Sequence, residues 1–156
     1  MWDDAKPSSH PIVVDNVTTA AAITSLFDSL TYSKGASILR MLERIVGSDR
    51  FRISLQDYLS SNRFDVGDPN TFYNGLFDNQ SISGEAFMKN WLEEQNYPLL
   101  SVNLSVENGN TKLVFTQSRF IISNVLNTSH LKEDYRWKIN ITCSAGTNNE
   151  KIFFRI

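Results

Sequence analysis

Large apolar side chains fall at Ile38, Leu39, Leu42, Ile45 and Val46, while Arg40, Glu43 and Arg44 lie off that face. The i, i+3, i+4, i+7 spacing predicts an amphipathic helix from Gly35 onward, with Tyr32 and Ser33 at its mouth. Upstream, Thr18 or Thr19 can cap a helix over Ala20 to Leu30 whose stripe is Ile23, Leu26, Phe27 and Leu30, and this helix is expected to pack on the Tyr32 helix. Gly47 suits the left-handed position that ends the Tyr32 helix, and Ser48 or Asp49 can cap the next. That next helix spans about Asp49 to Ser60 and presents Phe51, Ile53, Leu55, Tyr58 and Leu59. Asp68-Pro69 supplies an N-cap and a first-turn proline for a short helix through Phe72, Leu76 and Phe77. Ser83-Gly84-Glu85 opens another through Phe87, Met88, Trp91 and Leu92. Short links make neighbouring helices roughly antiparallel.

At Asn96-Tyr97-Pro98 the period changes to two: Leu100, Val102, Leu104 and Val106 alternate with Ser101, Asn103 and Ser105. Asn108-Gly109 is a strong hairpin signal, and Lys112 to Thr116 is the expected partner strand. Further strands are expected at Ser118 to Ser123, Tyr135 to Cys143 and Lys151 to Ile156, with Ala145 to Glu150 as a turn and Asn124 to Asp134 as a polar excursion. Nothing repeats. The pattern predicts an α+β chain in which an all-helical part of about five helices, residues 1–97, precedes a small antiparallel β-sandwich-like part, residues 98–156. Before the first helix, Lys6-Pro7 and His10-Pro11 push Met1 to Val17 into extended conformations and deny it an early helix, so that stretch is expected to be an ordered loop.

Composition narrows the function classes. A chain of 156 residues that is 41% hydrophobic and 12% aromatic is built to fold. A net charge of −2 without a basic run gives no electrostatic reason to expect nucleic acid. No apolar stretch nears the roughly 18 residues a bilayer span needs, and Met1-Trp2-Asp3-Asp4 lacks the features of a signal segment. Cys143, the single cysteine, excludes an internal disulfide and a cysteine-only metal site. Asn-x-Ser/Thr sequons at Asn16, Asn79, Asn103, Asn127 and Asn140 tilt the reading toward a secreted or cell-surface parent over a cytoplasmic one.

Candidate chemistry is sparse. Tyr32 could offer its hydroxyl, beside unpaired helix N–H groups, to a developing negative charge; residue type alone allows a merely packed aromatic as well. His10 reads as a loop imidazole bonded to backbone, because no second metal ligand is suitably spaced. Lys34 and Arg40 read as solvated or paired surface charges. Nothing points to a serine or cysteine nucleophile.

The run Tyr32-Ser33-Lys34-Gly35-Ala36-Ser37-Ile38-Leu39-Arg40-Met41-Leu42 resembles, without a break, a segment of the zinc aminopeptidases of the aminopeptidase N and puromycin-sensitive type. Ser8-Ser9-His10-Pro11-Ile12, a helix starting near Phe27-Asp28, Trp91 with Gln95, and Tyr97-Pro98 resemble further landmarks of that family in the same order. The resemblance implies that Tyr32 is catalytic, its hydroxyl donating to the oxyanion of a tetrahedral intermediate, and that a β-sandwich follows the helical half of the catalytic domain. The parent would be a zinc enzyme taking peptide substrates, and the family includes both membrane-anchored ectoenzymes and cytosolic members. Asn96 replaces the usual glycine before the aromatic-proline pair, the proline after Trp137 is missing, and about 59 residues after Tyr97 look short for a complete sandwich.

The family's His-Glu-x-x-His motif is absent, the only histidines being His10 and His130, and so is its Gly-Ala-Met-Glu-Asn motif. The His-Glu-x-x-His motif supplies two imidazole ligands and a general base. The resemblance therefore implies a piece of an aminopeptidase that binds no metal itself, is inactive alone, and needs the remainder of the catalytic domain. A metal-less homologue that binds peptides or proteins is the alternative. A third reading is a purely structural piece, whose open apolar face would make the isolated chain self-associate.

Overall fold

The computed structural model describes residues 2–77, 83–122, 136–145 and 150–155. His130, Asn79, Asn127, the excursion over 124–134 and the turn over 146–149 lie outside the described residues. Among the described residues five α-helices precede the strands: α1 (Ala20–Ser25), α2 (Ser29–Val46), α3 (Ser48–Ser61), α4 (Pro69–Phe77) and α5 (Gly84–Glu93). β1 (Tyr97–Glu107) pairs antiparallel with β2 (Asn110–Phe120), and β3 (Asn140–Ala145) pairs antiparallel with β4 (Glu150–Arg155). The fold is α+β, helical first and β-stranded after. No helix among the described residues is long and apolar enough to cross a membrane.

Local chemistry explains most helix ends. Thr19 Oγ1 accepts from Ala22 N at 3.2 Å, Asp68 Oδ1 from Asn70 N at 2.9 Å, and Ser83 Oγ from Ala86 N at 3.3 Å. Gly47, at φ 88°, ends α2 and leads directly into α3, a conformation that strains a side chain. Asn108 at φ 53° and Gly109 at φ 79° form the tight turn between β1 and β2.

Several expectations are corrected. The helix expected over Ala20 to Leu30 stops at Ser25, because Asp28 is extended (φ −119°, ψ 173°) and its carboxylate caps a new helix. Leu30 thus belongs to α2, and the start near Phe27-Asp28 is the correct one. α1 buries none of its residues, so its stripe is not packed on α2 as expected. In α3 the buried residue is Ser54, next to Gly75 of α4, while Ile53, Leu55 and Leu59 are exposed. A three-residue 3₁₀ turn, Asp3–Ala5, forms in the stretch expected to be only loop.

In the β part, β2 runs unbroken through Gln117, where two strands were expected. Gln117 pairs with Leu100 in the ladder, and its side chain donates to Trp137 O at 2.9 Å and accepts from Trp137 N at 2.6 Å. That side-chain clasp takes the place of a ladder at Trp137, so β3 begins only at Asn140, later than expected.

The core lies among α2, α3, α4 and α5: Ile38, Leu42, Phe72, Leu76, Phe77, Phe87 and Met88 are buried together. Phe72 meets Phe51 edge-to-face at 5.7 Å, and Phe77 meets Phe87 at 5.5 Å. Val13 N donates to Leu92 O at 2.9 Å and Ile122 N to Ala5 O at 2.7 Å, tying the N-terminal stretch to α5 and to the end of the hairpin.

Candidate functional site

α2 begins at Ser29 because Asp28 Oδ1 accepts from Thr31 N at 2.8 Å. Tyr32 N donates to Asp28 O at 3.3 Å, so Tyr32 sits in the first turn with its own N–H paired, not at the mouth with free N–H groups as the sequence suggested. Its side chain is 66% exposed, and among the described residues its hydroxyl has no hydrogen-bond partner.

His10 stands against the same helix end. Nδ1 lies 2.8 Å from Pro11 O and Nε2 lies 2.9 Å from Asp28 Oδ2. Both neighbours are acceptors, so both ring nitrogens must donate, and the imidazolium is the form that satisfies them. Burial works against that charge, but the Pro11 carbonyl and the Asp28 carboxylate outweigh it and hold the His10 pKa above its ordinary 6.5. The Thr31 N–H, then His10, hold Asp28 below its ordinary 3.8.

The sign of the pH dependence follows. His10, raised in the fold, contributes fully below pH 6.5 and loses its contribution as pH climbs through the folded value. Asp28, lowered in the fold, contributes fully above pH 3.8 and loses its contribution as pH falls through its folded value. For a half-exposed pair the gain is about 0.5 kcal/mol. Asp28→Asn keeps a capping side chain but removes the charge, so the gain of stability at pH 5.5 relative to pH 8 should shrink in that variant. Urea midpoints at the two pH values measure this, and an unchanged pH dependence would contradict the pairing.

One turn further, Lys34 takes the place of an apolar residue in the buried stripe Leu30, Lys34, Ile38, Leu42. It is 9% exposed. Its Nζ donates to Glu94 O at 2.9 Å and Asn96 O at 2.8 Å, and lies 3.3 Å from Asp4 Oδ2. Burial pulls the Lys34 ammonium below the usual lysine pKa, against the Asp4 carboxylate, which holds it up. Asp4 Oδ1 also accepts from Ser9 Oγ at 2.7 Å and Asn96 N at 2.9 Å. Asn96, fully buried at φ 66°, donates through Nδ2 to Asp4 O and Lys6 O and accepts from Arg119 Nε at 2.6 Å. Four separated segments thus meet on one ion pair: the 3₁₀ turn, α2, the α5–β1 link and the end of β2.

The sequence reading did not find this hub and treated Lys34 as a surface charge. The available signal was a lysine four residues from Leu30 and four from Ile38, inside the apolar stripe. Arg40, by contrast, is at the surface and pairs with Glu43, which also accepts from Ser48 Oγ at 2.9 Å.

A cavity of about 220 Å³ opens beside α2, lined by Ser29, Ser33 and Ser37, by Trp91 of α5 and by Tyr97 of β1. Tyr32 is not part of its wall. No three His, Cys, Asp or Glu side chains converge as metal ligands among the described residues. His10, with both nitrogens donating, has no lone pair to offer a metal. These residues therefore do not fit a zinc site.

The model of the peptidase family M1 domain matches residues 1–91. Glutamyl aminopeptidase of Bos taurus is 39% identical over 141 residues, 89% of this chain and 14% of that protein. Glutamyl aminopeptidase of Homo sapiens is 35% identical over 97% of this chain and 15% of that protein. Membrane alanyl aminopeptidase of Manduca sexta is 32% identical over 73% of this chain and 12% of that protein. The chain therefore spans about one seventh of the length of the curated relatives it matches. With the family model covering more than half of its residues, and the first turns of α2 held as described, the chain belongs to peptidase family M1.

Proposed function

We propose that these residues are part of a zinc aminopeptidase that releases N-terminal amino acids from peptides, with Tyr32 as its oxyanion-stabilising donor. The observation that carries this reading is an exposed tyrosine hydroxyl without a partner among the described residues, on the first turn of a helix anchored at both ends of that turn, in a chain of this family. A hydroxyl already satisfied within the fold would have to break a bond to serve a transient charge; among the described residues this one has none to break. Residues 1–97 then form one wall of the peptide cleft and residues 98–156 brace it. The metal chemistry of the family falls to residues other than those described here. The names of the relatives and the exposed sequons support a cell-surface or secreted parent.

The test compares two substrates in the complete zinc-loaded protein: a peptide with a free amino terminus and the same peptide acetylated. Release of the terminal residue from the first alone is expected. Binding of the free peptide without release would overturn the reading in favour of a metal-less peptide-binding homologue.

The isolated chain leaves Phe27, Leu39, Ile53, Leu59, Val102, Leu104 and Val106 exposed. Such surface drives association. A mass that rises with concentration in light scattering is expected, and a concentration-independent monomer would contradict it.

A further inference from the structure

The fold treats the three described sequons differently. Asn16 lies in an exposed turn ahead of α1, at φ 58°, with the sequon hydroxyl of Thr18 also exposed. Asn103 lies midway along β1, exposed, on the face it shares with Ser101 and Ser105 and opposite Val114 of β2. Leu100, Val102, Leu104 and Val106 point to the other face, with Leu113 and Phe115 across from them. Neither the Asn16 nor the Asn103 carboxamide has a hydrogen-bond partner among the described residues. Asn140 differs: it opens β3, half-buried, with its carboxamide oxygen enclosed and unbonded.

We propose that Asn16 and Asn103 are acceptors for N-linked oligosaccharide when the chain passes through the secretory lumen, and that Asn140 is not. The donor class is a lipid-pyrophosphate-linked oligosaccharide. The bond from the sugar's anomeric carbon to the pyrophosphate oxygen breaks, a bond from that carbon to Asn Nδ2 forms, and the amide loses one proton. The lipid pyrophosphate leaves with the electron pair, and nothing is oxidised or reduced. At Asn16 the glycan would extend from a turn. At Asn103 it would project from the polar face of the hairpin and leave every β1–β2 backbone bond intact, which fixes that face toward solvent in the assembled protein. At Asn140 a sugar on Nδ2 would crowd a half-buried side chain whose carboxamide oxygen is already enclosed.

This inference rests on the secreted or cell-surface reading, and the experiment separates the two. The complete protein is isolated from its own cells, and the 156-residue chain is also produced behind a cleaved secretion leader. Both are treated with peptide-N-glycosidase in heavy-oxygen water, which converts each glycosylated asparagine to a labelled aspartate for mapping by mass spectrometry. Label at Asn16 and Asn103 and none at Asn140 is expected in both. Asn16→Gln and Asn103→Gln should each lose one glycan step in gel mobility, while Asn140→Gln should lose none. Label at Asn140, or its absence from Asn16 or Asn103 in the leader-directed chain, overturns the assignment. Label confined to the leader-directed chain, at Asn16 and Asn103 alone, supports the assignment and overturns the location.

Discussion

Replacing Lys34 with methionine is expected to destabilise the chain by about 3–5 kcal/mol, the cost of leaving a buried charge without its counterion. The substitution nearly conserves length and adds apolar character, so packing alone would make it mild. It also strips the donor from the Glu94 and Asn96 carbonyls and the cation from Asp4, whose side chain is 6% exposed. Asp4→Ala should cost a similar amount, because Ser9 Oγ, Asn96 N and Lys34 all lose an acceptor. The two residues act as a unit, so the double variant should cost distinctly less than the sum of the singles. Urea unfolding of the four proteins measures this. Additive losses below about 1 kcal/mol each, as expected for a surface pair, would show that the hub is not what holds the four segments together.

Tyr32→Phe in the complete zinc-loaded protein is expected to lower kcat by roughly 10²–10³, the usual effect of deleting one donor to a developing oxyanion. KM should change little, since the interaction is made only in the transition state. Stability should be unchanged, because the hydroxyl is exposed and bonds nothing among the described residues. The pairing of those outcomes matters. A kcat loss with a matching fall in the unfolding midpoint would point to a packing role, and an unaltered kcat would remove Tyr32 from the mechanism.

What the sequence revealed was what neighbouring residues decide among themselves. Thr19, Asp68-Pro69, Ser83 and Asn108-Gly109 act within four residues of their partners, and each lies where the reading put it. The alternation from Leu100 to Val106 marks β1 for the same reason. Asp28 shows the limit of that logic: an apolar stripe ran across it, but its side chain bonding Thr31 N broke one helix and began another. Gln117 shows another: its side chain bonds the backbone of Trp137, 20 residues on, a contact that no local spacing encodes.

The hub was the hardest part to see. Lys34 bonds groups 30, 60 and 62 residues away, and Asn96 meets Asp4 across 92 residues. No local spacing encodes such meetings, and a lysine is ordinarily a surface residue. Tyr32 is singled out as a candidate by the resemblance of the unbroken eleven-residue run, not by its type. Its position within the first turn was misjudged because the periodicity became clear only after Gly35.

The measurement that tests the central claim most directly is zinc content and aminoacyl-arylamide hydrolysis, taken in parallel on the isolated chain and on the complete protein that carries it. The account predicts stoichiometric zinc and turnover in the complete protein, and neither in the isolated chain. Tight zinc binding with turnover by the isolated chain, lost on Tyr32→Phe, would contradict it, because the metal site would then lie within these residues.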